Sequence, residues 1–174
     1  VKKINWENLV LVFLSLPNGA AQKIINKTYK KYKKLKFIDL SADFRISNPK
    51  IYYKNYKIKH SASKLIKYAI YSISEFTSKI IHKYRIIANP GCYTTSIQLP
   101  LIPLLKKGLI KSKNITIDSK SGYSGAGKNF EQKFRHKNLY HSTFAYGIQM
   151  HRHVCEIDQE LSKSINKKIE YTFN

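Results

Sequence analysis

A single cysteine follows a short turn in the middle of the chain, where a thiol can act as a nucleophile. Residues 86–93 read IIANPGCY, so turn-forming residues separate an apolar segment from Cys92. The spacing predicts a strand, a turn and then a helix that begins near Cys92. A thiol in the first helical turn faces unpaired backbone N–H groups and the positive end of the helix dipole, which favour the thiolate. The alternative is an unreactive core cysteine, since this residue type is often buried.

The segments around Cys92 indicate an α/β architecture. Residues 9–16 (LVLVFLSL) form an apolar run typical of a strand buried on both faces, residues 20–32 are compatible with a helix, and residues 35–40 form a second apolar run. This order predicts a βαβ crossover, the unit of a doubly wound sheet. Further along we expect strands at 68–73, 85–88 and 115–119, helices at 75–84 and 153–165, a loop with short helical pieces at 47–64, and a glycine-rich loop at 121–127.

Two features complicate this architecture. Pro100 and Pro103 predict that the helix after Cys92 kinks near Leu99 or ends early, because proline lacks an N–H and clashes with the preceding turn. The chain also has no Gly-x-Gly-x-x-Gly turn of the kind that holds a dinucleotide pyrophosphate. We therefore expect a partial doubly wound, Rossmann-like sheet at residues 1–91, lacking its first strand and glycine-rich turn, followed by part of an α+β catalytic domain at residues 92–174.

Composition narrows the classes of partner. The chain has 174 residues and a formal net charge of +22, which would favour nucleic-acid binding. Of its 32 basic residues 28 are Lys and four are Arg, whereas base contacts and phosphate forks favour Arg, so we expect no nucleic-acid partner. Two cysteines are too few for a disulfide framework, which predicts a reducing cytoplasm. No apolar run is long enough for a bilayer, and we expect no membrane role.

Five segments, taken together and in order, resemble the N-acetyl-gamma-glutamyl-phosphate reductase family, which groups with the aspartate-semialdehyde dehydrogenases. They are residues 12–19 (VFLSLPNG), 37–45 (FIDLSADFR), 88–93 (ANPGCY), 118–127 (DSKSGYSGAG) and 146–161 (YGIQMHRHVCEIDQEL). The resemblance implies NADPH-dependent reduction of an acyl phosphate to a semialdehyde in arginine biosynthesis, through a thioester on Cys92. It also implies a homo-oligomer with a small acyl-phosphate substrate and no metal.

The same resemblance assigns roles to individual residues. An imidazole suits the acid/base role because it titrates near neutral pH, and His151 and His153 both lie in the matching His-Arg-His segment. We favour His151, with His153 as the alternative, because residues two apart can face opposite sides. Lys120 and Arg152 are candidate anion contacts for the substrate. Glu156 is a further candidate, either at the substrate or orienting an imidazole. The loop near the nicotinamide supplies the expected cofactor contacts Ser121, Gly122, Ser124, Gly125 and Gly127.

Departures from the family pattern leave alternatives open. They include Asn18 at a usual histidine position, Gln149 and Met150 at small-residue positions, Cys155 at a usual proline position, and Ser72 and Ser74 in place of Gly and Pro. One alternative is a catalytically impaired relic or a basic interaction protein. Another is a different semialdehyde dehydrogenase, such as aspartate-semialdehyde dehydrogenase. A third retains the thiolate but only transfers or hydrolyses acyl groups, because it binds no cofactor.

Overall fold

Two parallel sheets organise the chain in the computed structural model, which describes residues 4–125, 143, 145–147 and 151–173. The first sheet has the spatial order β1-β2-β4-β3, and the second pairs β5 with β6. The strands are β1 (Leu11–Leu14), β2 (Lys36–Asp39), β3 (Ala69–Tyr71), β4 (Ile86–Ala88), β5 (Ile115–Ile117) and β6 (Tyr171–Phe173).

Helices connect and cover these strands. The α-helices of the described residues are α1 (Ala20–Thr28), α2 (Pro49–Tyr56), α3 (Ser74–Thr77), α4 (Cys92–Lys106) and α5 (Val154–Ile165), with 3-10 turns at Trp6–Asn8, Ser63–Tyr68 and Ile81–Lys83. The predicted α/β class is confirmed, and so is the crossover β1-α1-β2, whose two strands pair in parallel. None of the helices in this part of the chain is long and apolar enough to cross a bilayer.

The core divides into a cluster under the first sheet, a second cluster between α4 and α5, and a smaller third cluster formed by Ala42, Ile46 and Tyr52. The first packs Ile25 of α1 against Phe37 of β2 and Ile86 of β4, all with no exposed surface. The second centres on Ile157 and Leu161, which the sequence places on one face of α5 and which are fully buried against α4 and the β5-β6 sheet. The first two clusters therefore lie on either side of the point where the chain passes from Gly91 to Cys92.

The structure overturns two expectations and removes one of two alternatives for a third. β1 is not buried on both faces: it lies at the edge of the described sheet, and Phe13 is 63% exposed while Leu14 is buried. The helix expected at 75–84 is reduced to α3 and a 3-10 turn, because exposed Ile80 leaves no apolar face to pack. The helix after Cys92 does not end early but runs through Pro100 and Pro103 to Lys106, since its packing against α5 offsets the hydrogen bonds that the prolines lose.

Candidate active site

The carboxyl ends of the parallel strands bring three separate segments to one edge of the sheet. Residues after β1, β2 and β4 meet there, as expected for the ligand-binding edge of an open α/β sheet. Arg45, five residues beyond Leu40, donates from Nη2 to the Leu40 carbonyl at 2.8 Å and from Nε to the Asn89 carbonyl at 2.7 Å. This guanidinium holds the turns after β2 and β4 together, directly beside Cys92.

Cys92 is the first residue of α4, and its side chain is exposed. Gly91 caps the helix in an extended conformation, and its carbonyl accepts hydrogen bonds from the Thr94 hydroxyl at 2.7 Å and the Thr95 hydroxyl at 2.9 Å. The helix start that the sequence predicts at Cys92 is therefore confirmed. The thiol lies at the N-terminus of a 15-residue helix, open to a reactant.

Two imidazoles contact the residues on either side of Cys92. A methyl group at position 91 would lie 2.6 Å from both Cε1 and Nε2 of His153, so this ring rests directly on the Gly91 backbone. The His151 ring packs edge-on against the ring of Tyr93, with centroids 5.2 Å apart. The structure therefore brings together the three residues to which the sequence assigned catalytic roles, although they are about 60 positions apart along the chain.

The two histidines differ in burial and in hydrogen bonding. His153 is 5% exposed, its Nδ1 has no hydrogen-bond partner within the described part of the chain, and burial together with His151 and nearby guanidinium groups lowers its pKa to about 3. His151 is half-buried, and burial followed by the charge of Arg152 lowers its pKa. The backbone N–H of His153 donates to His151 Nδ1 at 3.2 Å, so neutral His151 carries its proton on Nε2. His151 is thus the imidazole with a proton available for donation.

Aromatic rings enclose His151. Tyr146 and Phe173 each lie 5.7 Å from it, centroid to centroid, and the Tyr146 hydroxyl donates to the Tyr93 hydroxyl at 2.8 Å. Burial raises the pKa of Tyr146, and its bond to Tyr93 and the nearby Cys92 add to that rise. Sequence reasoning gave no role to Tyr93 or Tyr146, although Tyr146 opens the matching segment 146–161.

A buried carboxylate lies behind the Gly91 turn. Glu156 has no exposed surface; its Oε1 lies 3.2 Å from Arg45 Nη1, and its Oε2 accepts from the Gly91 N–H at 3.3 Å. The Thr94 hydroxyl, which donates to the Gly91 carbonyl, also lies 3.3 Å from this Oε2. The Tyr71 hydroxyl donates to the same oxygen at 3.4 Å. Glu156 was expected either to contact the substrate or to orient an imidazole, and these contacts correspond to neither role. They direct the carboxylate to the turn that precedes Cys92.

The remaining predicted residues lie at the surface. Lys120 is exposed and pairs with Asp118 at 2.6 Å, and the Arg152 side chain is exposed between the two histidines. Ser121, Gly122, Ser124 and Gly125 are exposed in a turn in which the Gly125 N–H donates to the Gly122 carbonyl at 3.0 Å. Gly127, Gln149 and Met150 lie outside the described residues. Lys120 and the glycine loop are therefore accessible to a ligand, and their predicted roles stay predictions.

The described residues offer no place for a dinucleotide pyrophosphate at α1. The N-terminus of a helix after a parallel strand is where such a group is held in doubly wound folds. Here the Asp43 carboxylate occupies it, accepting from the Gly19 N–H at 2.7 Å and the Gln22 N–H at 3.0 Å, and from the Tyr52 hydroxyl at 2.6 Å. Among described residues, only the exposed loop at 121–125 remains as a candidate cofactor contact.

Comparisons with known proteins agree with this arrangement. The family model of the semialdehyde dehydrogenase dimerisation domain matches residues 92–174. The chain is 41% identical to an N-acetyl-gamma-glutamyl-phosphate reductase of Afipia carboxidovorans, over 99% of this chain and 50% of the relative. It is 43% identical to a probable chloroplastic N-acetyl-gamma-glutamyl-phosphate reductase of Oryza sativa subsp. japonica, over 99% of this chain and 41% of the relative.

A third relative is the N-acetyl-gamma-glutamyl-phosphate reductase of Ehrlichia canis, 44% identical over 91% of this chain and 44% of the relative. The chain thus spans about half the length of the curated relatives it matches. Over nearly its whole length the chain is similar to N-acetyl-gamma-glutamyl-phosphate reductases, and its residues 92–174 match the semialdehyde dehydrogenase dimerisation domain.

Proposed function

We propose that this chain carries the thiol and imidazole chemistry of an NADPH-dependent N-acetyl-gamma-glutamyl-phosphate reductase. The observation that carries the proposal is the position of exposed Cys92 at the N-terminus of α4, with His153 against the preceding residue and His151 against the following one. A thiolate, a proton-exchanging imidazole and an open approach are what acyl transfer from phosphate to sulfur requires.

The first step follows from these residues. The Cys92 thiolate attacks the γ-carbonyl carbon of the acyl phosphate, a C–S bond forms, and the C–O bond to phosphate breaks so that phosphate leaves and a thioester remains. The exposed guanidinium of Arg152 is placed to attract the anionic substrate. His151, with its proton on Nε2, is the donor to oxygen as charge develops there.

Reduction of the thioester requires the hydride that NADPH supplies when it is bound. Because Asp43 fills the helix terminus at α1, that terminus does not provide the pyrophosphate site. Acylation of Cys92 and oxidation of NADPH are therefore two reactions that can be measured separately. A homo-oligomer is part of the same proposal, since the matching family model is a dimerisation domain.

Two measurements on the whole chain test the proposal. Incubation with N-acetyl-gamma-glutamyl phosphate should release phosphate and add an acyl group to Cys92, detected by mass spectrometry, and NADPH should then be consumed. Cys92→Ser should abolish both while leaving the circular dichroism spectrum and unfolding midpoint unchanged, because the side chain is exposed. Acylation without NADPH consumption would instead favour an acyl transferase or hydrolase, and absence of both would favour a relic.

A further inference from the structure

We propose that Arg45 and Glu156 form a charge-compensated pair that positions the Gly91 peptide and, through it, the Cys92 thiol. Both are positioning residues, since in this structure they contact the protein and not the reacting atoms. The proposal rests on the function proposed above for its catalytic meaning. Its test reads the reactivity of the thiol directly and does not depend on turnover.

The Glu156 carboxylate faces both the Arg45 guanidinium and the Gly91 backbone. One carboxylate oxygen accepts from the guanidinium of Arg45 at 3.2 Å, and the other accepts from the N–H of Gly91 at 3.3 Å. That N–H belongs to the residue that immediately precedes the nucleophile, so its acceptor fixes the angle at which the chain enters α4. Without an acceptor this buried N–H would be left unsatisfied, which is costly inside a protein.

The negative charge of the Glu156 carboxylate is compensated by Arg45. A carboxylate this close to the start of α4 opposes the helix dipole and repels a thiolate at Cys92, and burial strengthens the effect because water does not screen it. Arg45 cancels this charge, and it is itself 8% exposed and anchored to the Leu40 and Asn89 carbonyls. The turn thus gains a hydrogen-bond acceptor without a net negative charge.

The Arg45–Glu156 pair joins parts of the fold that are distant in the sequence. Arg45 follows β2, Gly91 follows β4, and Glu156 belongs to α5, 111 positions from Arg45. Tyr71 of β3 adds a further donor to the carboxylate, and its own oxygen accepts from the Gln98 amide of α4 at 2.9 Å. A geometry determined by four elements is suited to holding a nucleophile at a fixed angle.

A double-mutant cycle on the rate of Cys92 alkylation tests the proposal. All variants carry Cys155→Ser, so that Cys92 is the sole thiol, and iodoacetamide labelling at neutral pH is followed by mass spectrometry. Arg45→Met leaves an uncompensated carboxylate beside the thiol and should slow labelling roughly tenfold. Glu156→Gln keeps an acceptor for the Gly91 N–H and should label at least as fast as the parent. The double variant should return to within about threefold of the parent.

Controls separate this role from a purely structural one. Arg45→Lys keeps the charge and should label within about threefold of the parent, whereas a loss of rate equal to that of Arg45→Met would overturn the proposal. So would equal slowing by Arg45→Met, Glu156→Gln and the double variant, because that pattern indicates simple loss of structure. If urea unfolding shows that Arg45→Met is unfolded, Glu156→Gln decides alone: slower labelling than the parent overturns the proposal.

Failure of the pair and failure of the proposed function give different results. The predicted labelling pattern in a chain that neither acylates Cys92 nor consumes NADPH would support the pair and contradict the reductase function. Acylation and NADPH consumption by the parent, combined with Arg45→Met labelling at the parent rate, would support the function and overturn the pair.

Discussion

Substitution of Gly91 by alanine tests the close contact on which the candidate site depends. The added methyl group would lie 2.6 Å from Cε1 and Nε2 of His153 and 3.1 Å from Nη1 of Arg45. Favourable contacts between carbon atoms lie at about 3.5–4.0 Å, so the methyl group overlaps the imidazole by about 1 Å. His153 is buried and Arg45 is held by two backbone carbonyls, so neither can move aside without losing contacts.

The expected cost follows from the balance of two effects. Overpacking of this kind destabilises by about 1–3 kcal/mol. The φ angle of Gly91 is −72°, which alanine adopts without strain, so the lower entropy of the unfolded chain returns about 0.4–1 kcal/mol. We therefore expect Gly91→Ala to lower the free energy of unfolding by about 1–2 kcal/mol, near the middle of the roughly 0–2.6 kcal/mol that these two ranges allow.

Urea unfolding at equilibrium measures this difference, and Gly122→Ala is the matched control. Among the described residues, a methyl group at position 122 would meet only the Ser124 hydroxyl, at 3.9 Å, so the control should unfold at the parent urea concentration or slightly above it. Equal unfolding free energies for the two variants would refute the close packing of His153 on the Gly91 backbone.

Two further predictions concern stability. Because burial lowers the pKa of folded His153 to about 3 while the unfolded value is near 6.5, the unfolded state binds more protons between these limits. The contribution of neutral His153 to stability is therefore fully present above about pH 6.5 and is lost as the pH falls towards 3. Between these pH values the urea midpoint should fall less for His153→Gln than for the parent, and an equal fall for both proteins would contradict the lowered pKa. Leu161→Ala should cost about 2–5 kcal/mol in the same assay, because Leu161 is fully buried in the α4-α5 cluster, whereas exposed Lys163→Ala on the same helix should change stability by less than about 0.5 kcal/mol.

Local patterns in the sequence predicted the elements that short-range physics controls. Apolar runs located β1, β2 and β4, and the turn before Cys92 located the start of α4, because turn residues end a strand wherever they occur. The alternating faces of β1 were not predictable in this way. Leu11 and Phe13 are as apolar as Val12 and Leu14, and only the sheet order and the position of α1 decide which face is covered.

The contacts of the candidate site depend on distant parts of the chain. The resemblance identified Glu156, but not that its carboxylate faces Arg45 and Gly91, since that depends on how α5 packs across the sheet edge. Of the two outcomes predicted from the prolines, a kink or an early end of α4, the early end is excluded for the same reason. Proline weakens a helix considered alone, whereas packing of α4 against α5 compensates for two missing hydrogen bonds.

The rings around His151 give this imidazole a distinct magnetic environment. Tyr93, Tyr146 and Phe173 come from three distant stretches of sequence, and their ring currents act on the same few imidazole protons. In a chain with six histidines, the proton resonances of His151 should therefore stand apart from those of exposed imidazoles. Their chemical shifts report, from within a single side chain, whether the start of α4, the segment at Tyr146 and the strand β6 have assembled.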